Sequence, residues 1–268
     1  MPECIGVRFD NGPKIHYVEA PPSAPGVGVR CIVSTRRGLE LALVRTEIVD
    51  QVKPTGHYVR PVQAEDEDRW QALGERAEDL KWLLRAKARE SGANMKLLSL
   101  EFTLDESLLV VNYSAEEQVP LRVLAQVLMN HTAARIEFNN VGPRDQSRIL
   151  GAIGVCGAES CCSTWLQSFT AVSIRMARDQ QLPLNPEKIS GPCGRLMCCL
   201  QYEHPMYQEL IKEMPKKGSK GCHTSGSCGR VVKLNPLKGT VEMMTDEGAY
   251  EEHPAAEITR QSRNAAGT

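Results

Sequence analysis

The chain has 268 residues, with 32 Lys and Arg against 33 Asp and Glu, so its formal net charge is −1. This length supports one large or two modest domains with an apolar core, and it excludes a mini-protein held together only by disulfides or metals. The balanced charge excludes a global basic field that would drive non-specific binding to nucleic acid or acidic lipid. A hydrophobic content of 41% with 24% charged residues is typical of a globular protein.

No basic segment followed by an apolar core opens the sequence, and no run of about eighteen apolar residues occurs in it. We therefore expect no signal peptide, no transmembrane segment and a cytoplasmic location. Ten cysteines in such a chain imply thiols kept for metals or redox chemistry rather than for structural disulfides.

Short apolar runs broken by glycine and proline predict a small β unit over residues 1–62. Apolar residues at alternating spacings of three and four, with acid at the start and base near the end, predict an amphipathic helix over Glu65–Glu90. We expect this helix to dock on its own sheet, and the alternative is a seam for another protein's helix.

The next stretch predicts a hairpin, a helix and a strand. Alternating apolar residues over Leu98–Leu104 and a return strand over Leu108–Tyr113 predict the hairpin. The apolar pattern from about Pro120 to His131 predicts a helix, and Ile136 and Phe138 predict a strand. This order resembles a split βαβ layer.

The predicted fold class is α+β, with small β units near both termini and a central mixed α/β domain carrying two C-G-x3-C-C loops. The central domain covers residues 63–210 and includes a helix near Val172–Gln180. Short strands over Arg230–Leu234 and Thr240–Met244 predict the second β unit, over 211–260, and residues 261–268 form a polar tail.

The cysteine pattern C-G-x3-C-C occurs twice, and the second copy begins 37 residues after the first. Glycine-bearing, turn-prone sequence precedes both copies, so we expect each to start where the backbone bends. Chance repetition of this spacing is improbable, since cysteine is a rare residue. The candidate ligands are Cys156, Cys161, Cys162, Cys193, Cys198 and Cys199.

Thiolates are soft ligands for zinc, copper(I) and iron–sulfur clusters. A C-x4-C spacing lies at the edge of the range for structural zinc, whereas known cluster motifs include it. Adjacent side chains diverge by about 100° on a helix and about 180° on a strand, so we do not expect both members of a pair to ligate one cluster side by side. Two clusters need eight ligands and the repeats supply at most six. Either one cluster is held or partners donate ligands.

Other interpretations of the cysteines stay open at this point. The repeats fit less well with inert buried thiols or with a redox pair. Cys4 and Cys31 lie in predicted strands and are expected in the core. Cys222, His223 and Cys228 could bind zinc only if further ligands came from elsewhere.

With its cysteine repeats, the chain resembles the bacterial YaaT (RicT) family, whose members carry the domain named after a yeast polymerase-suppressor protein. The stretches that carry the resemblance are Gly154–Leu166, Ser173–Ala177, Asp179–Gln180, Leu184–Pro186, Lys188–Leu200, Gly6–Phe9, Arg36–Glu40 and Met95–Phe138. The chain departs from the family's usual pattern at Ala158–Ser160, and Cys222 and Cys228 are not associated with the family.

The resemblance implies a non-enzymatic cytosolic regulator. Members of the family join two small helical partner proteins in a complex that carries iron–sulfur clusters and assists the membrane-associated ribonuclease Y in mRNA processing. The resemblance also implies that the six repeated cysteines hold the cofactor, which we expect to be a 4Fe–4S cluster, with zinc as the other possibility. RNA contact is then indirect or weak.

The alternative function is a stand-alone RNA-binding protein whose cysteines pack or hold zinc, and a thiol-dependent enzyme is a third. Two short basic runs could contact RNA, but only 5% of residues are aromatic and could stack on bases, so solvated faces are favoured. The sequence lacks the phosphate-loop, dinucleotide, metalloprotease and nucleophile-elbow motifs. The basic runs are Arg30, Arg36, Arg37 and Lys212, Lys216, Lys217, Lys220.

Overall fold

The structure is a computed structural model that describes residues 3–9, 14–23, 25–50, 52–166 and 168–260. The chain divides into two compact units, Met1–Ser168 and Phe169–Thr268. Helices and mixed sheets occur together, so the predicted α+β class is confirmed. Among the described residues, no helix combines the length and the apolar character needed to cross a membrane.

The first unit opens with a closed five-stranded barrel, which is the small β unit predicted near the N-terminus. Its order is β1-β2-β5-β3-β4. Apolar side chains fill the barrel, and Cys4 and Cys31 are fully buried among them, which confirms their prediction as core residues. The strands are β1 (Cys4–Phe9), β2 (Ile15–Glu19), β3 (Arg30–Thr35), β4 (Gly38–Val49) and β5 (Gly56–Pro61).

A long helix, α1 (Ala64–Glu90), follows the barrel as predicted. At its start, the backbone N–H of Gln63 donates to the carboxylate of Asp66, and Arg60 binds the same carboxylate. The apolar face buries Leu73, Ala77, Leu80, Leu84 and Ala88. This face packs in one core with residues of the neighbouring sheet, so docking on its own sheet is confirmed.

The neighbouring sheet has three strands, β6 (Lys96–Phe102), β7 (Leu108–Ser114) and β8 (Arg135–Asn140). β6 and β7 form the predicted hairpin, and β8 runs parallel to β7 after the crossover helix α2 (Leu121–Met129). The hairpin–helix–strand order is therefore confirmed.

Two helices that the hydrophobic pattern did not predict lie close to the cysteine repeats. They are α3 (Pro143–Leu150) and α7 (Cys198–Glu213). Pro205 lies inside α7, where proline normally ends a helix, and this masked the helix in the sequence. The short helices are α4 (Cys161–Thr164), α5 (Ile174–Asp179), close to the helix expected at 172–180, and α6 (Pro186–Ile189).

The second unit ends in a five-stranded sheet of order β12-β11-β10-β9-β13. It contains strands at both of the positions predicted from sequence and surrounds a core that includes Val231, Val241 and Met243. The strands are β9 (Lys220–His223), β10 (Cys228–Asn235), β11 (Thr240–Thr245), β12 (Tyr250–Pro254) and β13 (Ile258–Arg260).

The cysteines of this sheet correct one expectation from the sequence. Cys222 and Cys228 are paired directly across β9 and β10 and form a disulfide. The expectation that the thiols would not form structural disulfides is therefore wrong for this pair, because the strand register sets the two sulfurs side by side. His223 binds Glu257 through Nε2 at 2.7 Å instead of joining a thiolate site.

Candidate functional site

The first cysteine loop is a tight turn closed by backbone hydrogen bonds. The N–H of Gly157 donates to the carbonyl of Gly154 at 2.9 Å, and the N–H of Gly154 donates to the carbonyl of Ala158 at 2.8 Å. Gly157 has a φ of 82°, a conformation that L-residues rarely adopt. Cys156 occupies the third position of the turn. The glycine of the C-G pair is thus required by the backbone of the loop.

The second cysteine loop repeats these bonds at equivalent positions. Gly194 donates to the carbonyl of Gly191 at 2.9 Å, Gly191 donates to the carbonyl of Arg195 at 2.8 Å, and Gly194 has a φ of 73°. An isolated β-bridge closes each loop, Ile153 to Glu159 in the first and Ser190 to Leu196 in the second. The sequence repeat is therefore a structural repeat.

Each pair of adjacent cysteines begins a helix. Cys161 and Cys162 are the first two residues of α4, and Cys198 and Cys199 are the first two of α7. The two side chains of a pair consequently diverge by about 100°, as expected for neighbours on a helix. The N-terminus of α7 also carries positive dipole charge, which favours a negatively charged thiolate near it.

The thiols differ in how much solvent reaches them. In the first loop Cys156 is exposed and Cys161 is half-buried, whereas Cys162 is buried with its Sγ 3.6 Å from the Oγ of Ser160. In the second loop Cys193, Cys198 and Cys199 are all half-buried. Cys162 alone therefore has the environment of an inert, packed thiol, and the two loops are not equivalent at this position.

The sulfur of the first cysteine in each loop lies over the opening glycine of the turn. A Cβ added at Gly154 would lie 3.3 Å from the Sγ of Cys156, and one added at Gly191 would lie 3.9 Å from the Sγ of Cys193. Both turns thus point their first thiol towards the opening glycine, and the sulfur lies closer to that glycine in the first loop than in the second.

Side chains outside the repeats hold the backbone of each helix start. The Nε of Arg148 donates to the carbonyl of Cys162 at 3.2 Å, and the Nε2 of buried Gln180 donates to the carbonyl of Leu200 at 2.5 Å. Leu200 packs with Ala177 in a small core beneath the second loop. Sequence reasoning missed Arg148 and Gln180, because contacts with carbonyls 14 and 20 residues away leave no local pattern.

The cysteines of the loops are suitable ligands for a group that binds thiolates, but a single loop does not supply a complete set of ligands. Within the described part of the chain, no three His, Cys, Asp or Glu side chains gather closely enough to hold a metal ion. Outside the loops, burial raises the pKa of Cys31 to about 11, so this thiol stays protonated and is unsuited to ligation.

Two arginines of the first basic run, Arg30 and Arg37, are engaged in ion pairs. Arg30 binds Glu67 at 2.8 Å, and Arg37 lies 3.4 Å from Glu40. These pairs reduce the charge that either arginine can offer to RNA phosphates.

Comparison with known proteins places the chain in a family. Residues 56–141 match the family model described as the PSP1 C-terminal conserved region, and residues 171–214 match the one described as PSP1-like protein, third domain. The chain is 37% identical over 253 residues to the stage 0 sporulation protein YaaT of Bacillus subtilis (strain 168), an alignment that covers 91% of this chain and 90% of that protein. The chain belongs to the YaaT/RicT family. The resemblance found in the sequence is thus confirmed, and membership supports a regulatory role.

The two matched segments correspond to distinct parts of the fold. The first runs from β5 to the end of β8, and the second contains α5, α6, the second cysteine loop and α7. No solved structure shows significant similarity to the chain.

Proposed function

We propose that this chain is a non-enzymatic, cytoplasmic regulatory scaffold whose two cysteine loops ligate iron–sulfur clusters of the 4Fe–4S type. It acts in a complex with two small helical partner proteins and modulates mRNA processing by ribonuclease Y. The observation that carries the proposal is the recurrence of one hydrogen-bonded turn, with thiols at matching positions, 37 residues apart.

Solvent access to the thiols supports ligation over packing. Buried cysteine serves as a small apolar residue, and in the loops this explanation covers only Cys162. The other five are Cys156, Cys161, Cys193, Cys198 and Cys199, and none of them is buried. Thiols held at the surface by ordered turns are better suited to binding an external group than to filling a core.

The incomplete donor set supports a role in assembly. A cubane needs four protein ligands, whereas one loop has three cysteines, which do not converge as a set. The remaining ligands must come from outside the loop. Cluster loading would then stabilise an assembly of polypeptides, because metal–sulfur bonds contribute directly to the folded and assembled state.

A bound cluster would supply an oxidation-sensitive, electron-accepting group at this position. The chain's own residues prepare for it: Gly157 and Gly194 permit the turns, and Arg148 and Gln180 fix the helix starts. In this proposal RNA contact by the chain is indirect or weak, and the ion pairs of Arg30 and Arg37 support this for the first basic run.

Iron and acid-labile sulfide analysis of anaerobically purified protein tests the proposal. We expect equal amounts of iron and sulfide in the chain co-expressed with its helical partners, and a marked loss of both in Cys193→Ser. Cys31→Val is the matched control, because it removes a thiol from the barrel core with little change in volume. Iron-free protein from the unchanged chain, expressed alone and with its partners, would contradict the proposal, and stoichiometric zinc without sulfide would replace the cluster with a zinc site.

A further inference from the structure

An apolar groove lies beside the end of α1, and no cysteine is among its lining residues. It has a volume of about 250 Å³ and lies between the last turns of α1, the start of β6 and the end of α3. Its floor is formed by Leu84, Ala88, Met95 and Leu97, and Leu150 forms one wall. A space of this size accommodates one large apolar side chain, the usual anchor of a protein interface.

The rim of this groove is cationic. Arg85, Arg89 and Lys96 line it, and the lining residues that the structure describes include no carboxylate. Attraction to the negative end of the helix dipole explains why basic residues occur at the end of α1. It does not explain why they border an apolar floor that is left open.

The exposed surface of α1 continues the groove along the helix. The side chain of Trp82 is 66% exposed, and the guanidinium of Arg85 lies 5.4 Å from the centre of its ring. Trp82, Arg85 and Arg89 are spaced by three and four residues, so they form one stripe about 10 Å long. Linear surfaces of this kind match the face of a second helix.

The chain that leaves the groove continues with exposed apolar residues. Leu150, which lines the groove, is followed three and five residues later by the exposed Ile153 and Val155, and Val155 immediately precedes Cys156. A short exposed apolar segment therefore connects a lining residue of the groove to the first cysteine loop along the chain.

We propose that this groove and the Trp82–Arg89 stripe dock an acidic amphipathic helix of a partner protein. An apolar side chain of the helix fills the groove, and its carboxylates face Arg85, Arg89 and Lys96. A flat anionic membrane is a poorer occupant, because a concave groove beside a linear stripe matches a helix that carries an anchoring side chain. This inference rests on the proposed function, since it assigns a docking site to a helical partner.

The test measures peptide binding to the metal-free chain by fluorescence anisotropy. The probe is a fluorescein-labelled, capped peptide of about 18 residues, with leucine at helical spacings of three and four and glutamate at the other positions. We expect saturable binding that Arg85→Glu/Arg89→Glu weakens at least about tenfold and that salt also weakens. The control is Arg122→Glu/Arg135→Glu, which reverses the same number of charges at two exposed arginines outside the groove lining and should leave the affinity unchanged.

Three results would overturn the proposal. One is equal binding of a peptide in which lysine replaces every glutamate, and another is binding that the double charge reversal does not weaken. The third is absence of saturable peptide binding, and binding to phosphatidylglycerol vesicles in its place would assign the surface to a membrane. Trp82→Ala should also weaken peptide binding, and it tests the role of the stripe without altering charge. Because the assay uses neither metal nor RNA processing, its failure is separate from failure of the cluster proposal.

Discussion

Replacing Gly157 by alanine should destabilise the first unit, although the new methyl group meets no atom within 4 Å. The cost comes from the backbone, because the φ of 82° lies in the left-handed region, which costs an L-residue about 1–2 kcal/mol. Alanine also restricts the unfolded chain, which offsets this cost by about 0.4–1 kcal/mol. The expected net loss is therefore about 1 kcal/mol.

Urea unfolding followed by tryptophan fluorescence measures this loss. The three tryptophans, Trp70, Trp82 and Trp165, all lie in the first unit and report on its unfolding. Gly74→Ala provides the matched control, because Gly74 lies inside α1 with open space around it, and alanine there should stabilise by about 0.8–1 kcal/mol. If Gly157→Ala stabilised the protein in the same way as Gly74→Ala, residue 157 would not have the left-handed backbone conformation that requires glycine.

Three further outcomes follow from burial and charge. In metal-free protein, alkylation followed by peptide mass spectrometry should modify exposed Cys156 at least about tenfold faster than buried Cys162, and equal rates would contradict the ordering of the thiols. Leu84→Ala should lower the free energy of unfolding by about 2–5 kcal/mol, because this side chain is fully buried in the core of the first unit. The hydrogen bond from Arg60 lowers the pKa of Asp66, so this carboxylate stabilises the fold above its unfolded pKa of about 4, and the contribution is lost as the pH falls through the lower folded value. Urea midpoints for Asp66→Asn should therefore fall less between pH 5 and pH 3 than those of the unchanged chain.

Local patterns predicted the elements whose apolar residues face one core. The amphipathic period placed α1 within one residue of its observed start, and alternation identified the β6–β7 hairpin. Both depend on side chains that pack against a single surface, so sequence spacing carries the information.

The cysteine loops were only partly predictable. The glycines and the repeated spacing predicted the two turns, but α7 begins at the second cysteine pair and continues through Pro205, against the local propensity. The disulfide between Cys222 and Cys228 depends on cross-strand register, and the roles of Arg148 and Gln180 depend on tertiary packing. None of these is visible in the spacing of residues along the chain.

X-ray absorption at the iron edge of the anaerobically prepared complex tests the central claim most directly. If the cysteine loops ligate a cluster, the nearest neighbours of iron are sulfur atoms and a second shell contains iron, and Cys193→Ser reduces both the sulfur shell and the bound iron. A first shell of oxygen and nitrogen, or iron binding that is unchanged by loss of Cys193, would contradict the account.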